Sequence, residues 1–446
     1  MTDLLAARSQ MAMAFAFHIV FAVVGIGLPL LMVIAEASWL RTRRRVYLEL
    51  ARRWGKGTAI LFVVGAVSGT VLSFELGLLW PEFMAFAGPI IGMPFSLEGF
   101  AFFLEAIFLG IYLYGWERVS PRAHLFAGCM VLLSGALSGV FVVTANAWMN
   151  QPAGFILVGD QLAYVDPFAA MLNPAAFSET LHMTLAAFAT VGFAVAGLHA
   201  GMLLRDIENP FHRRAIGIAL PVGAVFALAL VASGDLSGKF VAEYQPAKLA
   251  AAEAHWETAS AVPLLIGGWP DEEAEETRFA IRIPYLLSFI AHGDPHAEVV
   301  GLKDIPVDER PPVLPVHLAF QVMVGCGVAL ALTALLGGVL AVRRRGLPDS
   351  RWYLYLLACT SPLGFVAVEA GWVVTEVGRQ PWVVWGLFRT EDAVTPMPGL
   401  VVPFAVLTAL YLFLGVSVVF LMRRQVFMSP EADAFVEDGE ATVDGA

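Results

Sequence analysis

The chain has 446 residues, 58% of them hydrophobic and 15% charged, with a net charge of −11 and a mean hydropathy of +0.73. Soluble domains carry about 25% charged residues, so the balance excludes a water-soluble globular protein, and the acidic surplus offers nothing to a nucleic-acid partner. Cys129, Cys326 and Cys359 all lie inside apolar runs without CxxC or CxxCH spacing. That excludes covalent c-type haem and thiolate metal sites.

Nine stretches are apolar over the roughly 20 residues that a membrane span requires. They are 11–38, 56–79, 95–116, 124–147, 178–203, 215–233, 315–342, 352–377 and 401–422. The reading is therefore all-α, a polytopic membrane protein with nine transmembrane helices. The first run is too long for a cleavable signal and has no basic segment before it. The connection after the first span carries seven Lys or Arg, those after the third, fifth and seventh carry two, three and four, and Arg423 and Arg424 follow the ninth. The short connections after the second and fourth spans carry none. Positive charge stays in the cytoplasm, which places the N-terminus in the periplasm and the C-terminus in the cytoplasm. The chain divides into helices 1–6 over 1–233, a periplasmic loop over 234–314, helices 7–9 over 315–428 and an acidic cytoplasmic tail over 429–446. The loop is too polar and too long for a plain connection; short helices are expected in it, without a hydrophobic core of its own.

Polar side chains inside these spans are costly and point to function. His18, His182, Met323 and Glu376 fall at similar depth near the periplasmic face, at about 1.5 Å of rise per residue. Histidine, methionine and carboxylate are all iron ligands, so the set suggests haems stacked close to one aqueous surface. Taken singly, each has a bland alternative: an interfacial hydrogen bond for either histidine, packing for Met323, an ion pair with Arg379 for Glu376. His317, His124 and His199 keep that alternative. Glu98 and Glu105, and likewise Glu369 and Glu376, are seven residues apart, which returns a helix nearly to the same face about 10 Å further along. Such acid ladders suit proton transfer across an apolar layer.

The segment EAGWVVTEVGRQPW at 369–382 resembles the signature of subunit I of the cytochrome bd-type quinol oxidases. PFSLEGFAFFLEA, ANAWMNQP, KLAAAEAHWET and FAIRIPY resemble further blocks of that family in the same order. The resemblance implies that His182 and Met323 ligate a low-spin haem b. It implies that His18 and Glu376 each hold one iron of a high-spin pair, made of haem b with haem d or a further haem b. Lys248 and Glu253 match residues of quinol oxidation, and the loop is then the quinol-binding loop. Glu98 and Glu105 match acids of the proton path and haem pocket; Asn146, Trp372 and Arg379 match residues around the haems.

A His/Met pair gives a six-coordinate iron suited to electron transfer, whereas single-ligand sites leave a position for oxygen. Arg379 is placed to neutralise haem propionates, and an outer Lys/Glu pair could orient a quinol and accept its protons. The implied protein is an inner-membrane terminal oxidase subunit of the respiratory chain. It oxidises quinol at the periplasmic face and reduces oxygen with cytoplasmic protons. Its expected partners are a second membrane subunit (subunit II) and, in some members, a small accessory subunit. Two departures stand out. Members carry Arg two residues before the ligating Met, where this chain has Gln321; losing that cation favours the oxidised iron and lowers its potential. The loop lacks a long insertion and resembles the short-loop subgroup, which includes cyanide-insensitive oxidases. Rival readings are a dihaem cytochrome that does not reduce oxygen, and a proton-coupled transporter without haem.

Overall fold

A computed structural model describes residues 2–159 and 161–430. Among them, nine spans are long and apolar enough to cross a membrane. These are α1 (Asp3–Thr42), α2 (Arg45–Leu79), α3 (Pro81–Tyr114), α4 (Pro121–Asn150), α6 (Ala176–Leu203), α7 (Pro210–Tyr244), α10 (Val313–Arg344), the broken pair α11 (Arg351–Thr360) and α12 (Leu363–Val377), and α13 (Val401–Gln425). Three short helices lie between them: α5 (Pro167–Met171), α8 (Pro246–Ala252) and α9 (Leu286–His292).

Local chemistry explains where the helices start and stop. Pro121 and Pro210 begin α4 and α7, where a missing N–H costs nothing, and Ser120 and Asn209 cap them by accepting from Ala123 N and Phe211 N. Arg43 and Arg345 end α1 and α10 in the left-handed region, at φ 60° and 53°. Pro362 follows Ser361 at the break between α11 and α12, where a ring without an N–H interrupts the hydrogen-bond ladder.

The helices extend beyond the apolar runs. α3 begins at Pro81 rather than at 95, and α7 continues past 233 to Tyr244. The first eleven residues of the expected loop are thus helical. Hydropathy falls there, but the backbone stays satisfied, Lys239 pairs with Asp235 one turn away at 2.6 Å, and the helix ends only before Pro246, whose ring disfavours helical geometry at Gln245.

α1 runs through the centre of the bundle, and half of its most apolar stretch is buried, against 11% for α13. α2, α3 and α13 turn large side chains such as Phe74, Phe103 and Phe413 outward, as a lipid-facing surface requires. The segment from 245 to 312 closes over the end of the bundle where α7 finishes and α10 starts. Short helices were expected there, and the segment holds α8 and α9 together with short antiparallel pairings that its sequence did not announce. Leu264–Ile266 pairs with Ile281–Ile283, Trp269–Asp271 with Glu276–Arg278, and Ala259–Ser260 with Glu298–Val299. The expectation that this loop lacks a core needs correction: Leu249, Val262, Leu287, Ala291 and Val299 pack into a small cluster of their own against Ala242 of α7. Of the acidic tail, Ser429 and Pro430 meet His212 and Asn209; residues 431–446 lie outside the described residues.

Candidate functional site

The four candidate iron ligands all lie toward the end of the bundle that carries the 245–312 segment. His18 is on α1 and His182 on α6, and their surroundings match. His18 Nδ1 is 3.0 Å from Ser68 Oγ on α2, and His182 Nδ1 is 3.0 Å from Ser233 Oγ on α7. Each serine hydroxyl is itself committed as a donor, Ser68 to Val64 O at 2.9 Å and Ser233 to Leu230 O at 3.1 Å. A serine hydroxyl that donates to its helix carbonyl leaves its oxygen free to accept from the histidine Nδ1–H. That tautomer puts the free lone pair on Nε2; the Gly65 carbonyl also lies within hydrogen-bond reach of the His18 ring. A histidine held through Nδ1 with Nε2 open is the arrangement of a metal ligand with its supporting hydrogen bond.

The remaining membrane histidines are used otherwise. His124 bonds Glu36 Oε1 and Tyr112 O, both at 2.8 Å. His199 and His212 meet through their Nδ1 atoms at 2.9 Å. His317 bonds Ala252 O at 2.8 Å and Gly267 O at 3.1 Å. The interfacial and structural readings of His124, His199 and His317 agree with these partners.

Met323 lies on α10 where α12 comes close. A Cβ added at Gly371 would sit 3.1 Å from Met323 Sδ, so the thioether packs closely against the α12 backbone at that glycine. Trp372, the next residue on α12, stacks on Phe15 of α1 with ring centroids 6.4 Å apart and planes 17° apart. Phe15 is three residues from His18, so Trp372 joins the helix of His18 to that of Glu376.

Glu376 is bound at both oxygens. Asn146 Nδ2 on α4 donates to Oε1, and Arg379 Nη2 donates to Oε2 at 2.6 Å. From there a buried network continues. Asn150 is its centre: Nδ2 donates to Asn146 Oδ1 at 3.1 Å and to Glu179 Oε1 at 2.9 Å. Its Oδ1 accepts from Lys248 Nζ at 2.8 Å and from Arg379 Nη1 at 3.4 Å. Its backbone carbonyl accepts from Gln245 Nε2 at 2.7 Å. Arg379 is 1% exposed and its Nε has no partner. α4, α6, α8 and the end of α12 thereby share one polar cluster, and the sequence reading lacked three of its members, Glu179, Asn150 and Gln245. Glu179 was legible in principle, as a carboxylate one turn before His182 in an apolar run. Asn150 carries no such signal beyond standing four residues after Asn146.

Lys248 and Glu253 were expected to work as a pair. The structure gives them different neighbours. Lys248 turns inward to Asn150, with no ion pair to Glu253. Burial pulls its ammonium well below the ordinary lysine range, Glu179 opposes that shift, and Arg379 adds to it. Glu253 is 4% exposed beyond the end of α8, with Oε2 unpartnered. Burial alone pushes its carboxyl up to about 8.

Glu98 and Glu105 line the α3–α4 interface. Glu98 accepts from Ser138 Oγ at 3.1 Å, and the Glu105 carboxyl lies where a Cβ on Gly135 would be 3.3 Å away. Ser138 and Gly135 are one turn apart on α4, so both acids face the same strip of that helix. The two belong to one ladder, as their spacing implied. Glu105 Oε1 and Glu369 Oε1 are buried without partners. Gln321, two residues before Met323, is committed to the loop: its Oε1 accepts from Gly267 N at 2.9 Å and its Nε2 donates to Leu265 O at 3.0 Å.

Known proteins resemble this chain along nearly its whole length. The family model for "Cytochrome bd terminal oxidase subunit I" matches residues 6–430. A putative cytochrome bd menaquinol oxidase subunit I of Bacillus subtilis is 38% identical over 429 residues, covering 95% of this chain and 96% of its own length. A cytochrome bd ubiquinol oxidase subunit 1 from the same organism is 34% identical, covering 97% and 95%. The solved bd oxidase of Geobacillus thermodenitrificans superposes with a TM-score of 0.91 at 39% identity, covering 96% of this chain and 99% of that one. With its nine apolar spans and a match along nearly its whole length, the chain is a multi-pass membrane protein that belongs to the cytochrome bd terminal oxidase subunit I family.

Proposed function

We propose that this chain is the haem-bearing subunit of a quinol oxidase of the bacterial inner membrane, taking electrons from quinol and reducing oxygen to water. Per oxygen molecule, two quinols give up four electrons and four protons, and four protons are consumed in forming two waters. The observation that carries the reading is the pair of histidines on α1 and α6, each held through Nδ1 by a serine of a neighbouring helix.

The residues fit the haem groups that the family implies. Two histidines can take the ligating tautomer, Met323 packs against Gly371, and Glu376 keeps lone pairs beyond those used by Asn146 and Arg379. Arg379 Nε and the Lys248 ammonium offer charged donors suited to propionates. On this reading His182 and Met323 hold a low-spin haem b, while His18 and Glu376 each hold one member of a high-spin pair, haem b with haem d or a further haem b. When bound, the haems supply one-electron storage and an open iron position for oxygen.

The side chains do the rest. Ser68 and Ser233 fix the histidine rings. Arg379 and Asn146 orient the Glu376 carboxylate. Glu253, in its apolar surroundings beside the loop, is a base placed to take a quinol proton. Lys248 connects that region through Asn150 to Glu376 and Glu179. Glu98 and Glu105 form a proton route along α4. The basic connections support an orientation with the 245–312 segment in the periplasm and both of its quinol residues on that side. The compact loop supports the short-loop subgroup, and a companion subunit II completes the assembly. The named relatives are oxidases, which favours this reading over a cytochrome without oxygen reduction or a haem-free transporter.

The test is to purify the chain with its companion subunit from haem-sufficient cells. Pyridine haemochrome spectra should give three haems per complex, carbon monoxide should bind a subset, and oxygen uptake should depend on added quinol. A haem-free preparation, or haem without quinol-dependent oxygen uptake, would overturn the proposal.

A further inference from the structure

At the end of α8, two buried polar atoms stand without hydrogen-bond partners among the described residues. Glu253 Oε2 is one, and His255 Nε2 is the other. Local geometry sets both residues against the same last turn. Glu253 N bonds Leu249 O at 2.9 Å, so its side chain stands one turn beyond Leu249 on the same face. Ala254 then takes φ 49°, a left-handed turn that lets His255 N reach back to Ala250 O at 2.8 Å. Leu249 belongs to the loop's small apolar cluster with Val262, Leu287, Ala291 and Val299. The His255 ring lies within hydrogen-bond reach of the Val299 carbonyl, so both groups border that one apolar patch.

A carbonyl can only accept, so the ring nitrogen that faces Val299 carries the proton and the other keeps a lone pair. The other histidines around the loop are placed differently. His317 has both nitrogens bonded, to Ala252 O and Gly267 O, and His292 and His296 are exposed. The charged groups on the segments adjoining His255 are Glu257, Glu298, Lys303 and Asp304. Glu257 favours a proton on the ring but is itself paired with Lys303. Burial outweighs it and pulls the imidazole below the ordinary histidine value. His255 is therefore a neutral base at neutral pH, where Glu253, pushed up to about 8, is mostly protonated.

A quinol has two hydroxyls at opposite ends of its ring, and each must lose a proton. Lys248 does not serve the second one, since it turns inward to Asn150 at 2.8 Å. We infer that His255 is a second proton acceptor of the quinol, taking the proton of one hydroxyl while Glu253 takes that of the other. Both O–H bonds break, the imidazole and the carboxylate each gain a proton, and two electrons leave for haem iron, so that quinol becomes quinone. The inference rests on the quinol-oxidase reading and adds a residue to it.

The experiment uses the assembled oxidase with its companion subunit and follows kcat/KM for quinol across pH. In the native protein the value should climb in two steps, one in acid as His255 loses its proton and one through about pH 8 as Glu253 does. His255→Gln keeps an N–H for the Val299 carbonyl but has no basic nitrogen. It should lower turnover roughly 100-fold at about pH 7 and lose the acid step while keeping the other. Glu253→Gln should keep the acid step and lose the other. Imidazole added to His255→Ala should restore part of the turnover. Redox-difference infrared spectra of the native protein should show imidazole protonation bands that His255→Gln lacks. Haem content and carbon monoxide binding serve as controls for folding in each variant. A native protein that does not oxidise quinol would refute the oxidase reading itself. In a native protein that does, three results would each overturn the inference: a His255→Gln variant with native turnover and both steps, a loss that is uniform across pH and not relieved by imidazole in His255→Ala, or infrared bands that persist in His255→Gln.

Discussion

Replacing Ser233 by Ala tests the histidine geometry most directly. The serine oxygen lies 3.0 Å from His182 Nδ1 and spends its own proton on Leu230 O. Alanine leaves the buried Nδ1–H without an acceptor, at a cost of about 1–3 kcal/mol. The ring can escape that cost by shifting its proton to Nε2, which removes the lone pair an iron would use. Either outcome weakens the site by the same order, roughly 5- to 150-fold, in line with the 10- to 100-fold effect of losing a supporting bond to a metal-bound histidine. The assay is the rate at which each haem transfers to an excess of haem-scavenging apoprotein, followed by the separate low-spin and high-spin spectra. Ser233→Ala should speed loss of the low-spin haem by about tenfold or more and spare the others. Ser68→Ala should do the reverse, since Ser68 holds His18 at the same 3.0 Å. Unchanged transfer rates in both variants, or loss of the same haem from both, would refute the reasoning.

His182→Ala and Met323→Leu should each abolish the six-coordinate low-spin spectrum while leaving carbon monoxide binding at the high-spin sites; a normal low-spin spectrum in either would reject that pairing. Glu253, held up to about 8 by burial, is mostly protonated at neutral pH, so its capacity as a base grows as pH rises through that value. The apparent kcat/KM for quinol should therefore rise through about pH 8 in the native protein, and Glu253→Gln should flatten that limb; an identical profile would remove Glu253 from the proton path. Lys248→Met deletes the ammonium from the Asn150 cluster. It should lower quinol turnover and also shift the high-spin spectrum, because the cluster ends on Glu376; intact turnover with an unshifted spectrum would separate Lys248 from both. Gln321→Leu removes two bonds to the loop backbone, together about 1–3 kcal/mol, and should make the 259–299 region cleave faster under limited proteolysis, a change that an unaltered cleavage rate would contradict.

The excess of apolar residues and the spacing of basic connections determined the nine spans and a common depth for His18, His182, Met323 and Glu376. Those features follow from solvation alone: a helix of fixed rise must match a hydrocarbon layer of fixed thickness, and each charge must stay at the layer's surface. The Glu98–Glu105 ladder was legible for a similar reason, since seven residues in one helix restore its face. Helix ends were read less well, as α7 shows, because a satisfied backbone continues through residues that hydropathy would assign to a loop. The loop's short pairings and its small core depend on contacts between segments that no local period announces. Only the tertiary structure decided that Lys248 turns away from Glu253 and joins Glu179, Arg379 and Glu376 through Asn150. It also decided that His18 and His182, alone among the interior histidines described, rest on serines of a neighbouring helix. Partners across helices are chosen by packing and by the need to satisfy every buried donor, and a one-dimensional pattern carries depth and face but not which faces meet.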